Sequence, residues 1–239
     1  MKYQERTYRN LINKDNLISY NVRIEESDLL ISSDVDLTNK ALESLACHRH
    51  GLETYIKDHP VFLDSLTPLP EDKLAPPLVR EMLVKSQICG VGPMAGVAGA
   101  IAEFVGNDLM SHTQNLIVEN GGDIFILSQK NLIVSVFAGE SPLSFNVNFV
   151  VKPQDTPMGI CTSSATVGPS LSFGHADAVC VISESATLAD AAASAIGNRV
   201  KTKEDIRAAL NFGIKIKGVQ GIIIIMGKDM GVIGKVELI

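Results

Sequence analysis

The sequence predicts an α+β protein, because its strand runs and helix runs come in groups and do not alternate strictly. Three observations carry this. Period-two alternation recurs in the first 31 residues, helical spacings and Gly/Ala-rich stretches fill residues 36 to 109, and short apolar runs separated by turn residues follow from residue 115. The 239 residues are 46% hydrophobic and 20% charged, which is enough to bury one sizeable core and is unlike a disordered chain. We expect a single globule over residues 1–239, with two lobes joined near 67–77 if it divides at all.

Alternating stretches at Arg6 to Leu11, Leu17 to Ile24 and Asp28 to Ile31 are separated by polar turn clusters and predict an antiparallel meander. From Asp36 to Asp58, Leu37, Ala41, Leu45, Leu52 and Ile56 fall on one helical face, with Asp36 available as a cap and Pro60 as a stop. The Pro-rich stretch Thr67 to Pro77 predicts a connection, and Pro77 can open a helix from Leu78 to Ser86. A helix from Ala95 to Leu109 follows a Gly-rich entry, and its small residues permit close approach by a backbone or a ligand.

Strands are predicted at Asn115 to Val118 and Asp123 to Leu127 across a turn at Glu119 to Gly122, then at Leu132 to Phe137 and Phe145 to Val150. More than half of residues Thr156 to Ala176 are Ser, Thr, Gly or Pro, which predicts a long polar loop of the kind that usually carries function. A strand at Ala178 to Ile182, helices at Thr187 to Asn198 and Lys203 to Asn211, and strands at Val219 to Ile225 and Gly231 to Leu238 complete the chain.

Charge and composition exclude several functions. The formal charge is −6 and no basic run occurs, so nucleic-acid binding is not expected. The longest apolar stretch, Ser86 to Ala102, is broken by Pro93 and four glycines and closed by Glu103, so no membrane association is expected. The N-terminus lacks the apolar core of a secretory signal, and we expect a cytoplasmic protein. Cys47, Cys89, Cys161 and Cys180 lack CxxC spacing, and Cys89 and Cys180 read as core residues. His48, His50 and His59 are not spaced as a helical metal pair.

Three segments can carry chemistry. Asn120-Gly121-Gly122-Asp123 is a strong hairpin signal, and its consecutive glycines also allow main-chain amides to approach a phosphate, with Asp123 projecting from the strand start. Asp190 and Ser194 lie four apart on an alanine-rich helix, so a carboxylate and a hydroxyl share one face and can both reach Mg2+; the competing reading is a helix-terminal acid beside a space-filling serine. Thr162-Ser163-Ser164 clusters hydroxyls beside amides, suited to phosphate oxygens. His175 and Asp177 follow, but no GxSxG elbow surrounds any of these serines to complete a hydrolase triad.

Taken in order, these segments resemble the core of the ApbE-like superfamily, which includes the FAD:protein FMN transferases, and more narrowly a compact, uncharacterised branch of it. The family's GGIAKG-like stretch, GGD hairpin, TSG-like loop and ADAxxTA helix are matched by Ala95 to Ala100, Asn120 to Asp123, Thr162 to Ser164 and Ala189 to Ala195. The match spans about Gly90 to Gly197. The resemblance implies an ApbE-like fold with a central cleft, Mg2+ held by Asp190, Ser194 and a carbonyl at Ala95 or Gly96, and FAD as substrate or ligand along Gly96, Gly121-Gly122 and Thr162 to Ser164. It also implies transfer of FMN to a hydroxyl of an acceptor protein as AMP leaves, with Asp190 and His175 as the candidate catalytic residues. Gly99 stands where the family has lysine, and the HxxDPxTG segment is missing or collapsed, leaving His175 to stand for its histidine. The alternative is a non-catalytic flavin or small-molecule binding protein. A homo-oligomer packed through the Ala/Gly helix faces is a further expectation.

Overall fold

The computed structural model describes residues 17–165 and 173–239. The chain begins with a hairpin of β1 (Ile18–Ile24) and β2 (Ser27–Ser33), then α1 (Thr38–Asp58), the short α2 (Val61–Asp64) and α3 (Pro77–Cys89). A 3-10 turn at Pro93–Gly96 leads into α4 (Val97–Leu109). Strands β3 (Leu116–Asn120), β4 (Asp123–Leu127), β5 (Leu132–Ser135), β6 (Asn148–Val151), β7 (Met158–Ser163) and β8 (Ala178–Ser183) follow. Helices α5 (Ala186–Gly197) and α6 (Ile206–Gly213) precede β9 (Val219–Met226) and β10 (Asp229–Gly234).

Eight strands form one antiparallel sheet in the order β1-β2-β3-β4-β7-β8-β9-β10, and β5 pairs with β6 in a separate hairpin. The α+β class read from the sequence is therefore the observed one. Successive side chains of a strand point to opposite faces, and β8 shows the result. Val179 and Val181 enter a core shared with α5 and α6, while Ala178, Cys180 and Ile182 enter a second core beneath the β5–β6 hairpin. A third core joins α1, α3 and α4 to β1–β4, including Leu29, Ile31, Val118 and Phe125. Cys89 and Cys180 are buried, as their apolar surroundings predict.

Several boundaries differ from the sequence reading. The Asp36 carboxylate does accept the Thr38 amide at 2.9 Å, but Leu37 is the residue at the cap position of α1. The predicted polar loop at Thr156 to Ala176 is corrected in its first part, which is the central strand β7 with four buried residues at its start. Gly159 gives this strand its loop-like composition. A Cβ there would lie 2.2 Å from Ala186 Cα, so the strand needs a residue with no side chain where α5 begins. Residues 166–172 of that loop, and the expected strand at Arg6 to Leu11, lie outside the described residues.

The Pro-rich connection is fastened to two helices. Tyr55 Oη donates to Asp72 at 3.2 Å, Arg80 Nε to Glu71 at 2.8 Å, and Gln87 Nε2 to the Leu69 carbonyl at 2.7 Å. Among the described residues, no single helix is long and apolar enough to cross a membrane.

Candidate functional site

The site is set by α5, whose sequence ATLADAAASAIG is almost entirely small and apolar. Such a helix can be covered on all sides by neighbours at close range. Ten of its twelve residues are buried, and the two that are not are Asp190 and Ser194, one turn apart on one face. The helix therefore presents a half-buried carboxylate and hydroxyl along the one face that its neighbours cover least.

Helix α4 packs on α5 beside this face. A Cβ on Gly99 would lie 2.3 Å from the Ala186 carbonyl oxygen and 2.8 Å from Asp190 Cβ, so a glycine is required for the two helices to touch here. The family lysine has no room at this position. Gly99 is the third residue of α4, where backbone amides lack partners within the helix, and its N–H donates to Asp190 Oδ2 at 2.9 Å. Burial pushes the Asp190 carboxyl up to about 7, against the opposing pull of the Gly99 and Ala98 amides. Ala95 and Gly96, in the turn before α4, lie along the same side of α5: Ala95 packs against its core, and a Cβ on Gly96 would lie 3.6 Å from Ala191 Cβ.

The Asn120–Asp123 hairpin lies next to this crossing. Asn120 and Asp123 pair directly, and Gly121 and Gly122 form the two-residue turn at φ 72° and 102°, the conformation that favours glycine at both positions. Asn120 Nδ2 donates to the Ala98 carbonyl at 3.1 Å and ties the turn to α4. The Gly122 amide donates to Glu119 Oε1 at 3.0 Å. Asp123 is buried and pairs in register with Cys161 of β7. Burial raises the Cys161 thiol well above its ordinary value, and the carboxylates of Asp123 and Asp190 raise it further. One buried thiol is thus flanked by both acids, and its Sγ donates to the Ala186 carbonyl at 3.2 Å.

The hydroxyl cluster divides by strand alternation. Thr162 pairs with Cys180, and its side chain hydrogen-bonds that thiol on the sheet face away from α5. Ser163 faces α5, with its Oγ 3.7 Å from where a Cβ on Gly197 would stand. Ser164 follows the end of β7. His175 is not brought to Asp190. Its backbone N–H donates to the Val200 carbonyl at 2.7 Å, and its ring Nδ1 lies 3.0 Å from the Lys201 carbonyl, beyond the C-terminal end of α5. Asp177 accepts the Gly227 amide at 2.7 Å, so His175 and Asp177 are engaged separately and do not form a relay.

Sequence reasoning missed Glu103. On α4, one turn after Gly99, its Oε2 accepts Ser185 Oγ, Thr187 N and Thr187 Oγ1, each at 2.8 Å. The available signal was a lone carboxylate within a Gly/Ala-rich apolar helix. Among the described residues, no three His, Cys, Asp or Glu side chains gather closely enough to hold a metal ion.

An antiparallel sheet carrying an Ala/Gly helix pair over a glycine hairpin defines the ApbE fold class. The flavinyl transferase ApbE of Pseudomonas stutzeri matches over 91% of this chain and 94% of its own, with TM-score 0.56 and 13% identity. The ApbE protein of Thermotoga maritima matches over 90% and 96%, with TM-score 0.57 and 13% identity. The chain belongs to the family described as AbpE bacteria, whose model matches residues 9–237. Among its relatives are UPF0280 proteins of Methanocaldococcus jannaschii, 41% identical over 219 residues (89% of each chain), and Methanococcus aeolicus, 38% identical over 226 residues (92% of this chain, 91% of the relative).

Proposed function

We propose that this protein is a Mg2+-dependent enzyme acting on a flavin or nucleotide pyrophosphate, in the manner of an FAD:protein FMN transferase. The observation that carries the reading is the half-buried pair Asp190 and Ser194, one turn apart on the single face of α5 that is not fully covered. A carboxylate, a hydroxyl and a main-chain carbonyl of the turn at Ala95 or Gly96 are hard oxygen donors. They fit Mg2+, which takes oxygen ligands at about 2.1 Å and keeps places for water and phosphate oxygens. Such a site does not need three acidic or histidine ligands. When bound, the ion would neutralise charge on the pyrophosphate and on departing AMP.

The chain's own residues do the rest. Asp123 and Asp190 set two carboxyl groups about Cys161, an arrangement that favours a metal complex of the pyrophosphate over the bare anion. Gly99 supplies an amide that holds Asp190, and the Gly121 amide and the Ser163 hydroxyl are the donors we assign to the phosphates. Transfer joins an acceptor hydroxyl oxygen to the flavin-side phosphorus and breaks that phosphorus's bond to the bridging oxygen, so AMP leaves with the bridging oxygen and the acceptor loses its proton. We assign no step to His175, whose ring Nδ1 lies against the Lys201 carbonyl.

The test is AMP release from FAD in the presence of an acceptor peptide or protein, with Mg2+ or chelator, compared with Asp190→Asn. The variant keeps an oxygen for the Gly99 amide while removing the charge. Release that needs both Mg2+ and the carboxylate supports the reading. The lack of room for a cationic side chain at Gly99 favours one second reading, a flavin-binding protein without turnover. It would retain FAD in a Mg2+-dependent way and release no AMP.

A further inference from the structure

Asp190 and Glu103 form a reciprocal arrangement. Asp190 of α5 accepts an unpartnered amide in the first turn of α4, at Gly99, while Glu103 of α4 accepts an unpartnered amide in the first turn of α5, at Thr187. Each helix therefore carries the carboxylate that caps the other. Gly99 and Glu103 are four residues apart, about 6 Å along the α4 axis, so the two contacts fix both the slide and the rotation of α5 against α4. A single contact would fix only one point.

We infer that Glu103 is a positioning residue that holds the Asp190 carboxylate in place on the face of α5 it shares with Ser194. Three donors converge on one Glu103 oxygen, two from hydroxyls and one from the backbone. Bonds to an ionised acceptor are roughly twice as strong as neutral ones, and a neutral amide oxygen accommodates three donors poorly. Ser185 adds a second tie, because its Oγ accepts the Leu188 amide at 3.2 Å while donating to Glu103. Glu103 thereby occupies the amide-rich end of α5, and the ligand is left the side of the helix at Asp190 and Ser194. The consequence for a Mg2+-bound pyrophosphate rests on the function proposed above; the positioning itself does not.

The test is amide hydrogen exchange of the ligand-free protein, read at Gly99, Thr187 and Leu188. Asp190→Ala, which removes the acceptor of the Gly99 amide, sets the full scale. Thr202→Ala, which removes the capping box before α6, is the control for stability lost elsewhere. In Glu103→Gln, Gly99 exchange rises at least tenfold above the Thr202→Ala control. If Thr187 and Leu188 accelerate while Gly99 matches the control, Glu103 is only a helix cap and the inference is overturned. Should Glu103→Gln fail to fold, Thr187→Val removes one of the three donors with little change of shape; about threefold faster exchange at Gly99 supports the inference and no change overturns it. A wild-type protein that binds no flavin would defeat the proposed function while leaving the exchange result to decide Glu103.

Discussion

Gly99→Ala probes the contact on which the site is built. The added Cβ would stand 2.3 Å from the Ala186 carbonyl oxygen, where ordinary contact begins at 3.4 Å, so α5 must retreat by about 1 Å. Overpacking of this kind costs about 1–3 kcal/mol. Alanine keeps the backbone N–H, but a retreat of about 1 Å carries it beyond bonding distance of the Asp190 carboxylate, a loss of about 1.5–3 kcal/mol more. Alanine returns about 1 kcal/mol of helix propensity, leaving a net loss of about 2–5 kcal/mol. For a chain of this length each kcal/mol is worth roughly 2–4 °C, so Tm should fall by roughly 4–20 °C. Gly51→Ala in α1 provides the opposite sign, because its Cβ would meet only Pro76 Cβ at 3.5 Å and the propensity gain stands unopposed. Urea and thermal melts of both variants decide the matter. A Gly99→Ala protein as stable as wild type would show that α4 and α5 do not meet at this glycine.

Three further outcomes are expected. Gly159→Ala places a Cβ 2.2 Å from Ala186 Cα and 2.3 Å from its nitrogen, with backbone on both sides of the clash, and circular dichroism should show an unfolded or aggregated chain. Burial alone would raise the Asp34 carboxyl, but hydrogen bonds from Asn115, Thr113 and the Asn115 and Gln114 amides outweigh it and hold the group below the usual carboxylate range. Its folded-state value is depressed, so its stabilisation is present above the ordinary carboxylate range and lost as pH falls through the lowered value; urea melts should show Asp34→Asn less stable than wild type at neutral pH, with the gap closing in acid. Burial pushes the Cys89 and Cys180 thiols up to about 12 and raises Cys161 too, whereas Cys47 is exposed. A disulfide reagent should titrate one thiol in the native protein and four after denaturation.

The parts legible in the sequence were those with a local period or a local turn signal. The spacing Leu37, Ala41, Leu45, Leu52 gave α1, and Asn-Gly-Gly-Asp gave the β3–β4 hairpin, because both patterns are imposed by backbone geometry within a few residues. Asp190 and Ser194 were readable as a pair for the same reason. What escaped was set by tertiary contact. β7 looked like loop because its glycine and hydroxyl residues are chosen by the approach of α5 and by its two neighbouring strands. Alternation along that strand separates Thr162 from Ser163, a distinction invisible while the segment reads as a loop. Glu103 meets partners 82 and 84 residues away, and no pattern within its own helix announces them.

The most direct measurement of the central claim is the Tm of the wild-type protein and of Asp190→Asn with FAD, each with Mg2+ and with chelator. At about a hundred times its Kd, a ligand that binds only the folded state contributes about 2.7 kcal/mol, which for this chain is roughly 5–10 °C. The wild type should rise by that amount with FAD and Mg2+ together, and the rise should vanish with chelator or in Asp190→Asn. A wild type that FAD leaves unshifted, or a shift that persists without Mg2+ and without the Asp190 charge, would contradict the claim.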